Sequence, residues 1–100
     1  MLDLSQIVGF DWDDGNSLKS TDKHSVSNVV AEQVFADSRL LLAHDVKHSQ
    51  HEGRYHALGR TLENQLLHVT FTLRVNGTKI RVISARDMNR KERGLYEREA

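Results

Sequence analysis

From Leu67 to Val75 the chain alternates without a break. Leu67, Val69, Phe71, Leu73 and Val75 are apolar, and His68, Thr70, Thr72 and Arg74 stand between them. Side chains of an extended strand point to opposite faces in turn, so this period of two predicts a half-buried β-strand. Asn76-Gly77 follows. That dipeptide suits a type I′ hairpin, in which both central residues need positive φ. A return strand is expected from Thr78 to about Arg86. A two-residue turn fixes the register. It sets Val75 opposite Thr78, Leu73 opposite Ile80 and Phe71 opposite Val82 on one face. On the other face it sets Arg74 opposite Lys79, Thr72 opposite Arg81 and Thr70 opposite Ile83. Like charges directly opposed are unfavourable unless water or an anion screens them. The predicted hairpin therefore has one core face and one cationic, hydroxyl-bearing face.

The rest of the chain supplies what that hairpin packs against. Ile7 to Trp12 is a short strand candidate with Phe10 and Trp12 as bulky anchors. Asp13 and Asp14 can cap a polar helix through about Asp22, weakened by Gly15, Ser17, Ser20 and Thr21. Ser27 is a suitable N-cap for a second helix, with Val30, Val34 and Phe35 on one side and an end near Asp37. Leu40 to Ala43 and Arg54 to Thr61 read as strands, His44 to Gly53 as a loop, and Glu63-Asn64 as a turn. Asn89 with Glu92 three residues on forms a capping-box pattern for a C-terminal helix, with Met88 and Leu95 facing inward. The expectation is a single α+β domain over residues 1–100. It has an antiparallel sheet of three to five strands, two N-terminal helices and a C-terminal helix, with the helices on one face.

Composition excludes several classes. No cysteine is present, so disulfides and thiolate metal sites are excluded. The histidines near His44, His48, His51 and His56 match no common zinc spacing, so no metal or cofactor is expected. The apolar runs are far too short for a membrane span, and the start has no secretory pattern. A cytoplasmic location without membrane association is the expectation. Formal net charge is zero, but the charge is unevenly placed. Residues 1–37 hold seven acids against two bases, and residues 74–100 hold eight bases against four acids. A basic end on a neutral domain suits a local anion site better than the coating of long DNA.

Three segments carry a family resemblance. Phe10-Asp-Trp-Asp-Asp, followed by Lys23-His24-Ser25-Val26-Ser27, resembles an opening F-x-W-D-E with a later K-H-G-V-S. Arg54-Tyr-His-Ala-Leu-Gly is similar to an R-[FWY]-x-x-[IL]-G strand, and Ile80-Arg-Val-Ile-Ser-Ala-Arg with Glu92-Arg93 and Tyr96 to I-R-[IV]-I-S-A-R and E-R-x-x-Y. Together, in order and in spacing, they resemble the BrnT toxins of bacterial type II toxin–antitoxin pairs. Ser25 stands where that family usually has glycine. The resemblance implies a RelE-like fold and a metal-independent endoribonuclease that cleaves mRNA, with the ribosome as one candidate place of action, and arrests growth. It also implies a BrnA-type ribbon-helix-helix antitoxin as partner, with DNA bound only through the complex.

Cleaving RNA without a metal needs a base for the ribose 2′-hydroxyl, cations for the pentavalent phosphate and an acid for the leaving oxygen. Arg81, mid-strand on the polar hairpin face, is the leading cation, because a guanidinium fork can hold two phosphate oxygens. Arg60, closing the neighbouring strand, can reach the same face. Lys23 can hold phosphate, and His24, whose ordinary pKa is near neutral, can act as base or acid. Glu52, in the loop before Arg54, is a carboxylate candidate for the base. Arg74, Lys79, Arg86 and Arg54 are candidate RNA contacts, and Trp12 can stack a base or pack in the core. The same basic end also fits a non-catalytic subunit that docks an acidic segment of a DNA-binding partner. Direct DNA binding by this chain is disfavoured by its acidic first third and the lack of a helix-turn-helix pattern.

Overall fold

A computed structural model describes residues 4–16, 26–48 and 52–100. The predicted helix to Asp22 falls largely outside them, and its first residues, Asp14–Asn16, form a turn. Strands β1 (Gly9–Phe10), β2 (Leu41–His44), β3 (Arg54–Arg60), β4 (Leu66–Arg74) and β5 (Lys79–Asp87) form one sheet in the order β1-β5-β4-β3-β2. β2 to β5 pair antiparallel, but β1 runs parallel to β5, with Gly9 beside Lys79 and Phe10 beside Ile80. The sheet is therefore mixed. Its one parallel pair joins segments far apart in sequence, which no local pattern announces.

The described residues contain two α-helices, α1 (Asn28–Gln33) and α2 (Arg90–Glu99). α1 starts where Ser27 Oγ accepts from the Val30 amide, and it continues into a 3-10 turn, Val34–Ala36. α2 has the full capping box: Asn89 accepts from the Glu92 amide, and the Glu92 carboxylate accepts from the Asn89 amide. The two helices cover opposite faces of the sheet, not one. Ala31 and Val34 pack with Ala57, Leu67, Val69, Phe71, Ile80 and Val82. Tyr96 and Met88 pack with Leu58, Leu41 and Leu66, which alternate with the first set along their strands.

The anchor of α2 is also not the one expected. Leu95 is 40% exposed, whereas Tyr96 is buried and donates its hydroxyl to Asp37 at 2.6 Å. Asp37 also accepts from the backbone amides of Arg39 and Arg60, so one carboxylate ties the 3-10 turn, the end of β3 and α2 together. Burial alone would raise the Asp37 pKa, but the Tyr96 hydroxyl and the two amides outweigh it and hold it below its ordinary value. Close approach at this end needs glycine. A Cβ on Gly59 would meet Val34 Cγ1 at 2.6 Å.

The hairpin register holds from Arg74/Lys79 to Phe71/Val82 and then shifts. A β-bulge sets Thr70 opposite Ser84, leaving Ile83 without the partner expected for it. Ile83 and Ser84 both point outward, Ala85 returns to the core, and Arg86 joins the face that carries Arg81. The turn departs too. Val75 shares positive φ with Asn76 and Gly77, so it leaves the ladder and is 62% exposed instead of facing the core.

Candidate functional site on the open sheet face

The α2 face of the sheet can be read row by row across the strands. Arg54, Thr72 and Arg81 form one row, and His56, Thr70 and Ser84 the next. Leu58, His68 and Arg86 follow, and then Arg60 and Leu66 beneath α2. The cations and hydroxyls expected of the hairpin do share this face. Two histidines lie among them.

Arg74, Arg81 and Arg86 each meet a carboxylate. Arg81 donates from both terminal nitrogens to Asp13, at 3.0 and 3.1 Å, and lies 3.5 Å from Asp11. That fork and the Gly15 amide hold the Asp13 carboxyl below its ordinary pKa, while the same hydrogen bonds raise Arg81. The acidic loop is pinned in place by Asn16, whose side-chain amide donates to the Asp11 and Val82 carbonyls. Arg74 meets Glu52 at 3.2 Å at the hairpin end. Arg86 meets Glu92 through two bonds, at 2.8 and 2.9 Å. Burial favours the neutral form of Glu92, but Arg86 and the Asn89 amide outweigh it and lower its pKa. Arg54 stands in the Arg81 row, half-buried.

Arg60 lies on the same face as Arg81 but not beside it. It is six residues further along and two strands away, about 20 Å at ordinary strand spacing. Its guanidinium sits over the Tyr96 ring, 5.8 Å from the centroid. The two arginines therefore do not converge on a single phosphate. Trp12 is on the other side of the sheet: it packs against the core and donates its indole N–H to Glu32 at 2.6 Å. Lys23, His24 and Ser25 lie outside the described residues.

Sequence reading did not single out the centre of the face. His56 Nε2 is 2.9 Å from Asp45 Oδ2, and its Nδ1 is 3.1 Å from Thr70 Oγ1. The His68 ring lies 4.8 Å from that of His56, and its Nε2 is 3.9 Å from Glu92. Burial, with Arg86 and His56 nearby, lowers the His68 pKa despite the pull of Glu92. Both rings border a cleft of about 390 Å³ between α2 and the β2–β3 edge, walled by Leu41, Ala43, Leu58 and Leu95. The clue was present in the turn at Glu63-Asn64. Closing β3 and β4 around it puts Leu58 opposite His68 and sets the two histidines in adjacent rows. Among the described residues no three His, Asp or Glu side chains gather as a metal site.

The family model of the BrnT ribonuclease toxins of type II toxin–antitoxin systems matches residues 12–92. The match takes in β2 to β5, both helices as far as the first turn of α2, and every candidate residue above. No curated protein matches the chain.

Proposed function

The chain belongs to the BrnT family of ribonuclease toxins of type II toxin–antitoxin systems, and from that premise we propose that it is a metal-independent endoribonuclease that cleaves mRNA on its open sheet face. One observation carries this reading: Arg54, Arg81 and Arg86 flank a pair of histidines on one face of a rigid sheet. Fixed cations where phosphate charge develops are often a large share of catalysis. Histidine is the side chain suited to proton transfer near neutral pH.

Arg81 is the leading phosphate ligand. Its fork already binds a carboxylate in the bidentate manner that it would offer to two phosphate oxygens. RNA would therefore take the place of Asp13. Arg74 and Lys79 extend the cationic surface toward the hairpin end, where they can hold the RNA backbone. An antitoxin partner follows from the family, and we take it to be a BrnA-type ribbon-helix-helix protein that gives the complex its DNA affinity. That this face accepts carboxylates supports inhibition by an acidic antitoxin segment lying across it.

The test is growth and cleavage together. Expressed alone, the protein should arrest growth, and Arg81→Ala should relieve the arrest at unchanged protein level. In vitro, RNA should be cut in excess chelator, and the variant should be slower by about 10²-fold, as for loss of one preorganised charge donor. Well-folded protein that cuts no RNA would instead favour a non-catalytic subunit that docks a DNA-binding partner.

A further inference from the structure

The cleft beside α2 holds the one pair of histidine rings in contact among the described residues, and their settings differ. His56 is a third exposed, with a carboxylate at 2.9 Å. His68 is nearly covered, its Nδ1 has no hydrogen-bond partner, and no carboxylate oxygen approaches its Nε2 closer than Glu92 at 3.9 Å. The charged groups around the pair are Asp45 at the start of the β2–β3 connection, Arg54 on β3, Arg86 on β5, and Glu92 and Glu99 on α2. One ring with a carboxylate in hydrogen-bond reach beside one without gives two imidazoles placed for different parts in general acid–base chemistry.

We propose that His68 and His56 are the base and the acid of RNA cleavage in this cleft. The proposal deepens the ribonuclease reading and rests on it. His68 Nε2 takes the proton of a ribose 2′-hydroxyl, and the freed oxygen forms a bond to the adjacent phosphorus. The bond from phosphorus to O5′ breaks. The leaving O5′ takes the Nδ1 proton of the His56 imidazolium, replacing Thr70 Oγ1 as its acceptor, while Asp45 holds Nε2. The products are a 2′,3′-cyclic phosphate and a 5′-hydroxyl, with one proton gained by His68 and one lost by His56. Burial lowers the His68 pKa and so favours the unprotonated ring that a base needs. Rings 4.8 Å apart can serve the two sides of one phosphate. The nearest cation is Arg86, whose strand position is directly opposite His68.

The experiment is single-turnover cleavage, in excess chelator, of a synthetic RNA whose cut site has been mapped, followed across pH. Wild-type protein should give a bell-shaped profile. His68→Asn should lose the acidic limb and His56→Asn the alkaline limb, each slower by about 10²-fold. An RNA with sulfur in place of the bridging 5′-oxygen needs no proton on its leaving group. It should restore the His56→Asn rate and leave His68→Asn slow. The same RNA should abolish the alkaline limb of the wild-type protein, a result that requires no variant to fold. Wild-type cleavage whose alkaline limb survives the sulfur substitution overturns this assignment and leaves the ribonuclease reading intact. So do folded variants that keep their rate within about threefold, far short of the loss expected of an acid or base. Absence of wild-type cleavage overturns the ribonuclease reading itself, and this assignment with it.

Discussion

On the α1 face, Val69, Phe71 and Val82 are sealed from water with their side chains in the apolar core. One residue along the same strands, Thr70, Thr72 and Arg81 face the other way. Thr70 and Thr72 are also buried, but each hydroxyl has a named partner, His56 for one and the Gly53 carbonyl for the other. Arg81 is held by Asp13. The first face is stabilised by area removed from water, which is large and non-directional. The second is organised by pairs. Exposed ion pairs contribute little to stability, so those pairs act mainly by fixing where charge sits. Substitutions on the first face should therefore unfold the protein, and substitutions on the second should change what it binds.

The largest effect tests the first half of that contrast. Phe71 is fully buried, with Tyr55 and Phe35 against its ring. Phe71→Ala should cost about 3–5 kcal/mol in a denaturant melt. A loss below 1 kcal/mol would mean that the core face is not what holds the fold. Tyr96→Phe probes the end where the contrast blurs, because a charged bond there ties α2 to the rest. Removing a buried hydroxyl that donates to a carboxylate should cost about 1–3 kcal/mol by the same melt. A cost near zero would assign the docking of α2 to its apolar contacts alone.

Acidity should discriminate between the faces. His68 has a lowered pKa in the folded protein, so the unfolded chain takes up its proton first as pH falls. Stability from this group is complete above about pH 6.5 and declines as pH drops through that range. Asp37 and Glu92 are also lowered, so their contributions persist to more acidic pH and are lost as pH falls through their folded values. Thermal midpoints should decline in two stages, and His68→Asn should remove the first. A single decline near pH 4 in the parent protein would contradict a buried neutral His68. The smallest effect lies at the hairpin end, which neither face governs. Val75 has a φ of 54°, where a branched side chain is strained. Val75→Gly should raise stability by up to about 1 kcal/mol, the relief of left-handed strain less the added freedom of glycine when unfolded. A destabilised variant would show that the Val75 side chain makes a contact worth more than its strain.

Much of this was legible in the residues themselves. Alternation from Leu67 and the Asn76-Gly77 turn established the hairpin and its polar face, and Ser27, Asn89 and Glu92 marked the helix starts. These signals are local: period, turn dihedrals and caps depend on residues within a few positions of one another. The partner of each charge was not legible. Arg81 meets Asp13 across 68 residues, and Tyr96 meets Asp37 across 59. Many carboxylates are available to an arginine in sequence, and only the packed chain selects one. The bulge at Ile83 reversed the side to which Arg86 points, and one extra residue in a ladder leaves little trace in composition.

The sequence by itself determined that this chain makes a two-faced hairpin with its cations on the polar side, because alternation and turn chemistry act over neighbouring residues. Only the tertiary structure decided that α2 covers the face opposite α1, that Arg60 stands far from Arg81, and that His56 meets His68. Those outcomes depend on strand order, register and helix docking, which are set by contacts between segments that the chain brings together only when the whole core is buried.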